Sequence, residues 1–393
     1  MLFRLALAEA ALRWAPAPFA DSELYEAYAR RIYEGEPYRL GETAAIRTPG
    51  YPALIAGCWW IAGGQHLRAV LWAQALLGTV TCWFVLAIGR ECERMGFPRG
   101  TALLALLVAA LDPYAALLGA VELSETAFTM LLMATAWLAI RHLDRPSFLA
   151  GAAMGVLAGL ATLVRPSVLL LTPLSASWFL GATHHRRASL TTLVGSLVGL
   201  LLTMAPWIVR NALVLGAWVP TTTNVGESLY DGVGPQATGA SDMRFKVEAD
   251  LAGMNELEQD RYWRDESIEA MRAEPLRVVS LSAIKLWRFW SPWPNAAQYQ
   301  RPLPIVVGTL ASVPIYGLAL VGIWSQRRRW RLMALCLLPA VYFSLLHMVF
   351  VSSIRYRVPA MPLVDILAGA GAVVLYAAWF QAAGPRTTPV QEG

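Results

Sequence analysis

The amino-acid sequence predicts an all-α polytopic membrane protein with about ten transmembrane helices, external juxtamembrane helices and no separate soluble domain. Apolar residue types make up 56% of the 393 residues and charged types only 15%. Soluble domains carry about 45–50% and about 25% of these types. Mean hydropathy is +0.47, and apolar runs of roughly 20 residues, enough to cross a bilayer, recur along the chain. The net charge of +5 comes from arginines beside these runs, so no nucleic-acid partner is expected.

Ten apolar stretches are predicted to span the membrane, some of them marginally. They lie at about 2–19, 67–89, 101–121, 125–140, 148–164, 167–183, 189–209, 303–324, 332–351 and 359–380. The first is the weakest because it carries three charged residues. It is either a short tilted helix or the end of a longer segment that starts upstream. Asp112-Pro113 interrupts the third stretch, where Asp112 is expected to cap a restarting helix. Alternatively, Asp112 is a carboxylate buried in the membrane that has a role in function.

The distribution of arginines predicts the orientation of the chain, because cytoplasmic connections collect positive charge. Alternate connections hold Arg90, Arg94, Arg99, Arg141, Arg145, Arg186, Arg187, Arg327, Arg328, Arg329, Arg331 and, in the tail, Arg386. This asymmetry places both termini in the cytoplasm. It places two long connections outside, 20–66 (the first loop segment) and 210–301 (the second loop segment). Both are parts of a single domain that spans residues 1–393.

The two loop segments have helical patterns of their own. The first begins with a charged helical pattern over 21–30 and ends with an apolar run at 53–62. That run is too short to span a bilayer and is expected to lie in the interface. The second is predicted to form helices at about 256–273 and 275–290, judged from helical periodicity.

Polar residues that could support catalysis cluster in the first loop segment. Asp21 follows the first apolar stretch directly, Tyr25 comes one helical turn later, and Arg47-Thr-Pro-Gly-Tyr51-Pro closes the segment. A carboxylate at the membrane edge can take a proton from a hydroxyl group, and an arginine can hold a phosphate. The alternative is that Asp21 only caps a surface helix.

These motifs resemble the GT-C glycosyltransferases. More narrowly, they look like those of bacterial members of glycosyltransferase family 39 and its relatives, which include protein O-mannosyltransferases and the lipid A aminoarabinose transferase. The likeness continues in order along the chain. It includes Leu118–Phe128 with its acidic turn, Leu163-Val-Arg-Pro166, Pro206-Trp-Ile-Val-Arg-Asn211, and His347 with Arg355-Tyr-Arg-Val-Pro359.

The resemblance implies an inverting transfer of a sugar from a polyprenyl-phosphate-linked donor to a hydroxyl group of a lipid, glycan or protein acceptor. It also implies contacts with membrane lipids and an active site on the outer face of a bacterial inner membrane. By resemblance Asp21 is the general base, and Glu125 is a second catalytic candidate. The candidates for binding the donor phosphate are Arg47, Arg165, Arg210, Arg355 and Arg357. Further candidates are Tyr25, Tyr51, His347 and Tyr356.

Each candidate also has a simpler interpretation. Glu125 could only favour a helix start, His347 could be a packed, hydrogen-bonded histidine, and Arg355 and Arg357 could snorkel to the interface. The order Asp21-Ser-Glu departs from the adjacent Asp-Glu pair of protein O-mannosyltransferases, which weakens a protein acceptor.

Two questions remain open at this level. No residues have metal-ligand spacing, so no metal site is assigned, although the resemblance leaves a divalent cation open. The rival function is a transporter or flippase of a lipid-linked sugar. Such proteins often carry internal repeats, and no repeat is readable here.

Overall fold

The computed structural model describes residues 1–14, 19–182, 186–296 and 299–383. Within these ranges the protein is helical, with no strand and one isolated β-bridge between Leu40 and Thr43. The helices are α1 Leu2–Trp14, α2 Ala20–Tyr33, α3 Gly50–Ala62, α4 Leu67–Arg94, α5 Thr101–Leu111, α6 Pro113–Leu118, α7 Glu125–Arg141, α8 Phe148–Val164, α9 Leu171–Ala182, α10 Arg186–Leu215, α11 Val225–Val233, α12 Phe245–Glu248, α13 Glu256–Ala273, α14 Pro275–Trp290, α15 Pro302–Gln326, α16 Trp330–Val349, α17 Ile354–Arg357 and α18 Met361–Ala383. Arg386, used above for orientation, lies outside the described residues.

The chain is a polytopic membrane protein, as predicted. Each of the ten predicted stretches contains at least one helix. Among the described residues, four helical stretches are long and apolar enough to cross a membrane: Leu67–Arg94, Arg186–Leu215, Pro302–Val349 and Ile354–Gln381. Large apolar side chains such as Trp83, Leu107 and Leu202 are exposed on the outer faces of the bundle. A lipid environment covers such faces without cost.

The third predicted stretch is broken at Asp112-Pro113, and the break has a partner in α1. Asp112 Oδ1 accepts hydrogen bonds from the backbone N–H of Tyr114 (2.8 Å) and Ala115 (3.2 Å), which confirms the predicted cap. Pro113 has no N–H to donate to the carbonyl of Ala109. The buried Arg4 donates to that oxygen instead (3.2 Å). The charged residue that weakens α1 as a membrane helix therefore repairs the broken one.

Glycines set the closest helix contacts. On α8, Gly151, Gly155 and Gly159 recur every fourth residue and face α10. A Cβ atom on Gly155 would lie 2.1 Å from the carbonyl oxygen of Ser196. Small residues at this spacing let helix backbones approach closely in membranes. The pair α15 and α18 uses the same device at Gly371, where a Cβ would lie 2.0 Å from the carbonyl oxygen of Leu318.

A buried carboxylate joins the two loop segments. Glu256 begins α13 and accepts hydrogen bonds from the N–H groups of Ala44 (2.9 Å) and Ala45 (3.1 Å). It also accepts one from the hydroxyl of Thr223 (2.7 Å). The predicted helices at 256–273 and 275–290 are confirmed as α13 and α14.

Candidate active site

Helix α2 places Asp21 in its first turn and packs against the turn that precedes α7. Ser22 donates from its hydroxyl to the carbonyl oxygen of Glu122 (2.7 Å). Asp21 does not cap α2, because Phe19 is the N-cap residue and makes no side-chain cap bond. Instead, Asp21 Oδ1 accepts from Arg47 Nη2 (2.8 Å), and its Oδ2 accepts from Arg355 Nη2.

The turn that carries Arg47 rests against the end of α8. A Cβ atom on Gly50 would lie 2.6 Å from the carbonyl oxygen of Leu163, so this position in the Arg-x-Pro-Gly motif must be glycine. Tyr38 donates from its hydroxyl to the carbonyl of Arg47 (3.1 Å). The loop is thereby held next to Arg165, the residue that follows α8.

Glu125 begins α7 and is almost fully buried, with 1% of its side chain exposed. Its Oε1 pairs with Arg165 Nη1 (2.6 Å) and with Arg355 Nε (2.5 Å). Arg355 therefore bridges two carboxylates. The resulting chain of alternating charges, here called the charged cluster, is Arg47, Asp21, Arg355, Glu125 and Arg165. Three guanidinium groups against two carboxylates leave it with one net positive charge.

Two carboxyl groups in this region, those of Asp21 and Glu122, differ in pKa because their surroundings differ. Burial raises the pKa of Asp21, but the charges of Arg355 and Arg47 outweigh it and hold that pKa well below its usual range. At Glu122, burial, with a smaller effect of Glu26, raises the pKa to about 8. Asp21 is therefore ionised at neutral pH, whereas Glu122 is mostly protonated.

Aromatic residues form the walls of the charged cluster. The ring of Tyr356 lies under the guanidinium groups of Arg165 (5.4 Å) and Arg355 (5.3 Å). His347 stacks on Tyr356 with ring centroids 4.4 Å apart. Its Nδ1 lies 2.7 Å from the carbonyl oxygen of Val351. His347 thus sits behind the cluster as a packed, hydrogen-bonded side chain.

The two predicted tyrosines of the first loop segment lie on the other side. Tyr25 has its hydroxyl 3.3 Å from the hydroxyl oxygen of Ser124 and its ring 4.9 Å from that of Tyr51. Tyr51 is fully buried and donates to Gln74 Oε1 (2.7 Å). Tyr25 therefore borders the cluster, and Tyr51 supports it from inside the bundle.

The structure does not bring Arg210 and Arg357 into the charged cluster. Arg210 donates to the carbonyl oxygens of Ala44 (2.7 Å) and Tyr38. Arg357, with 1% exposure, donates to the carbonyl oxygens of Phe289 (3.1 Å) and Ser291 (2.8 Å). Three of the five predicted arginines lie together, and these two hold main-chain segments instead.

Sequence reasoning missed two supporting residues. Ser124 contacts both Tyr25 and Arg165. Gln74 accepts from Tyr51 and donates to the carbonyl oxygen of Val121 (2.7 Å), which fixes the turn before α7. A single amide within an apolar membrane helix is costly without partners, and it was a usable signal.

The charged cluster does not fit a divalent cation. Among the described residues, no group of three or more His, Cys, Asp or Glu side chains could hold one. A Ca²⁺ or Mg²⁺ ion needs several oxygen ligands at once. Both carboxylates of the cluster are already engaged by guanidinium groups.

Comparison with known proteins extends these observations. Residues 46–209 match the family described as dolichyl-phosphate-mannose-protein mannosyltransferase. This range includes Arg47, Glu125 and Arg165, but not Asp21 or Arg355. No curated protein matches the chain.

Two solved structures of the Archaeoglobus fulgidus oligosaccharyltransferase are similar in fold. They are the apo form (TM-score 0.56, 13% identity) and AglB in complex with an inhibitory peptide and a dolichol-phosphate (TM-score 0.55, 14% identity). Each match covers 94% of this chain and 48% of the archaeal one, so the chain spans about half the length of those proteins.

A third match is ArnT from Cupriavidus metallidurans in the apo state. Its TM-score is 0.39 at 15% identity, over 89% of this chain and 71% of that one. Family match and fold together confirm the resemblance seen in the motifs: the chain has the fold of the GT-C glycosyltransferases, and its residues 46–209 match their dolichyl-phosphate-mannose-protein mannosyltransferase family.

Proposed function

We propose that the protein is an inverting glycosyltransferase that moves a sugar from a polyprenyl-phosphate-linked donor to an acceptor hydroxyl. The charged cluster supports this proposal, because it joins one partly exposed carboxylate to three guanidinium groups. The proposal places the active site on the outer face of a bacterial inner membrane, with both termini in the cytoplasm. The acceptor is a lipid, a glycan or a protein.

In the proposed reaction, Asp21 takes the proton of the acceptor hydroxyl. The acceptor oxygen attacks the anomeric carbon while the bond from that carbon to the phosphate oxygen breaks. The bonding electrons leave with the polyprenyl phosphate, which gains negative charge. Arg47, Arg165 and Arg355 stabilise that charge, and groups aimed at charge that develops in the transition state lower the barrier most. One displacement of this kind inverts the anomeric centre.

Asp21 is a weak base while both arginines hold it, since their charges lower its pKa. A donor phosphate would compete with Asp21 for Arg47 and Arg355. Loss of these ion pairs would raise the pKa of Asp21 toward its usual range. Donor binding would therefore activate the base, and the carboxylate would accept a proton only when a donor is in place.

The remaining residues act through others in this proposal. Glu125 fixes the orientation of Arg165 and Arg355, and Tyr356 supports both guanidinium groups from below. Arg210 and Arg357 position the backbone segments around the cluster.

The decisive experiment is transfer by the purified protein from defined polyprenyl-phosphate sugars to membrane extracts, with products identified by mass spectrometry. We expect a glycosylated product from at least one donor, and at least about 10²-fold less of it per unit time with the Asp21→Asn variant. Proteoliposomes loaded with the same donors test the rival function. Movement of intact donor between leaflets, with no product from any donor, would establish a flippase and overturn the enzyme.

A further inference from the structure

A cavity lies in the second loop segment, lined by none of the residues of the charged cluster. Its volume is about 200 Å³, and the residues around it include Tyr230, Asp231, Gln236, Asp242, Phe245 and Trp263. It forms where α11 and α12 pack against α13. Gly226 makes this packing possible, because a Cβ atom there would lie 2.0 Å from the carbonyl oxygen of Asp260.

Three rings form one wall of this cavity. The ring centroid of Trp263 lies 4.6 Å from that of Tyr230 and 4.7 Å from that of Phe245. The centroids of Tyr230 and Phe245 are 5.0 Å apart. Such a packed group is rigid and offers apolar faces at the cavity surface.

The polar side of the cavity begins with Gln236. Its side chain is exposed at the cavity and can both donate and accept hydrogen bonds. Trp263, by contrast, is only 3% exposed and packs against Tyr230 and Phe245.

The acidic residues complete the polar side. Asp231 accepts from the hydroxyl of Ser241 (2.6 Å) and from the N–H of Asp242 (2.8 Å), which fixes the 241–242 turn. Asp242 pairs with Arg244. Neither lysine nor arginine is among the described residues that line the cavity. A phosphate group would therefore meet carboxylates here without a lining cation, in contrast to the charged cluster.

We propose that this cavity binds one neutral pyranose unit. A pyranose has an apolar C–H face for the rings and hydroxyl groups for the carboxylates and the amide. On the proposed function, on which this assignment rests, the bound unit is part of a saccharide acceptor.

The position of the cavity agrees with that role. The N–H of Ser352 donates to the carbonyl oxygen of Gly239 (3.1 Å). A Cβ atom on Gly232 would lie 2.6 Å from the carbonyl oxygen of Val349. The cavity is thus attached to the backbone segment that leads directly to Arg355.

Binding of methyl glycosides of mannose, glucose, galactose and N-acetylglucosamine to the purified protein, followed by saturation-transfer NMR and calorimetry, tests the proposal. At least one should bind the wild type. Trp263→Leu removes the ring against which Tyr230 and Phe245 pack, and we expect binding about tenfold weaker. Gln236→Ala, at an exposed position, should also weaken it several-fold. Trp218→Leu is the matched control, since Trp218 is 78% exposed in the same loop segment and away from the cavity.

Asp21→Asn should leave glycoside binding unchanged, so failure of the catalytic proposal and failure of this one give different results. The assignment is overturned if no methyl glycoside binds, or if the Trp263 and Gln236 variants both bind like the wild type. Tighter binding of mannose 1-phosphate than of methyl mannoside would overturn the neutral-pyranose assignment as well.

Discussion

In the proposed reaction Asp21 accepts a proton, although two guanidinium groups oppose its protonation in the free protein. Asp21→Asn keeps the shape of the side chain but removes the base. General-base catalysis contributes about 10²–10⁴-fold, so kcat should fall by at least about 10². The same change frees Arg47 and Arg355 from a carboxylate. The variant should therefore bind the polyprenyl-phosphate donor as well as or better than the wild type, as measured by titration.

Retention of most of the turnover by this variant would move the base elsewhere. Glu125 would then be the first group to test. Loss of donor binding together with turnover would instead show that Asp21 acts through the structure of the cluster.

Variants of Arg355 and Arg357 can show whether both arginines contribute to binding of the donor phosphate. Contacts of Arg355 with a phosphate would be worth roughly 1.5–3 kcal/mol. Arg355→Ala should therefore lower kcat/KM for the donor about tenfold to hundredfold. Arg355→Lys should fall between this variant and the wild type, because lysine keeps the charge but loses the fork.

Arg357→Ala should behave differently, because it leaves two buried carbonyl oxygens without their donor. Lower thermal stability is expected, with donor kinetics of the folded fraction close to wild type. Equal kinetic losses in both alanine variants would contradict this division. The matched lysine variants then show whether charge alone restores either property.

Both arginines were candidates for binding the donor phosphate, and the local structure shows why only Arg355 joins the charged cluster. Ile354–Arg357 form one helical turn, α17. Helical residues two apart point about 200° from each other, so they do not share a face. By contrast, Asp21 and Arg47 could be predicted as neighbours, because both lie in the first loop segment. The ion pair of Asp21 with Arg355 joins residues 334 positions apart in the chain.

Glu122 offers a stability test based on pH. Burial raises its pKa from 4.5 to about 8, so the folded state prefers the protonated carboxyl. The unfolded chain releases its proton near 4.5. Folding stability should therefore fall as pH rises from 4.5 toward 8. Glu122→Gln cannot ionise and should lose this decline in melting temperature. Glu269→Gln, at an exposed position on α13, should keep it. An unchanged pH profile in the Glu122 variant would assign the effect to another group.

Hydropathy was sufficient to locate the helices along the chain. It could not predict which face of a helix packs against its neighbour. The bounds of α13 follow from a capping box at Asn255 and Glu258, and Pro275 opens α14. Those signals are local and readable from sequence. The rotation of α8 against α10 depends on backbone contacts at Gly151, Gly155 and Gly159. Apolar periodicity cannot reveal these contacts, because both lipid and protein favour apolar residues.

The contact of Glu256 with the first loop segment can be tested by mutation. Glu256→Ala removes the acceptor of the N–H groups of Ala44 and Ala45. We expect faster amide hydrogen exchange at these residues and reduced transfer, because Arg47 follows closely in the same loop segment. Glu269→Ala on the same helix is the matched control, since Glu269 is exposed. Unchanged exchange at 44–45 would show that the segments are held together without Glu256.

Across the whole molecule, the charged cluster draws on residues from distant parts of the chain. Asp21 and Arg47 come from the first loop segment, Glu125 and Arg165 from helix ends, and Arg355 from the turn before α18. The arginine distribution places all these connections on one side of the membrane. Their contacts in the structure agree with a common side. Which of them pair could not be predicted, because the pairs depend on helix packing.

The charged cluster is predicted to lie on the outer side of the membrane. Thr238 is exposed in the second loop segment, and Ser147 is exposed in the connection between α7 and α8. The four native cysteines are buried, so they should remain silent toward a membrane-impermeant maleimide. Thr238→Cys should label in intact spheroplasts, whereas Ser147→Cys should label only after lysis. The reason is the positive charge of Arg141 and Arg145 beside Ser147, which retains that connection in the cytoplasm. Wild-type protein controls for background labelling, and both variants should retain transfer activity. The opposite labelling pattern would put Asp21 and its arginines in the cytoplasm, and it would exclude an acceptor on the outer face.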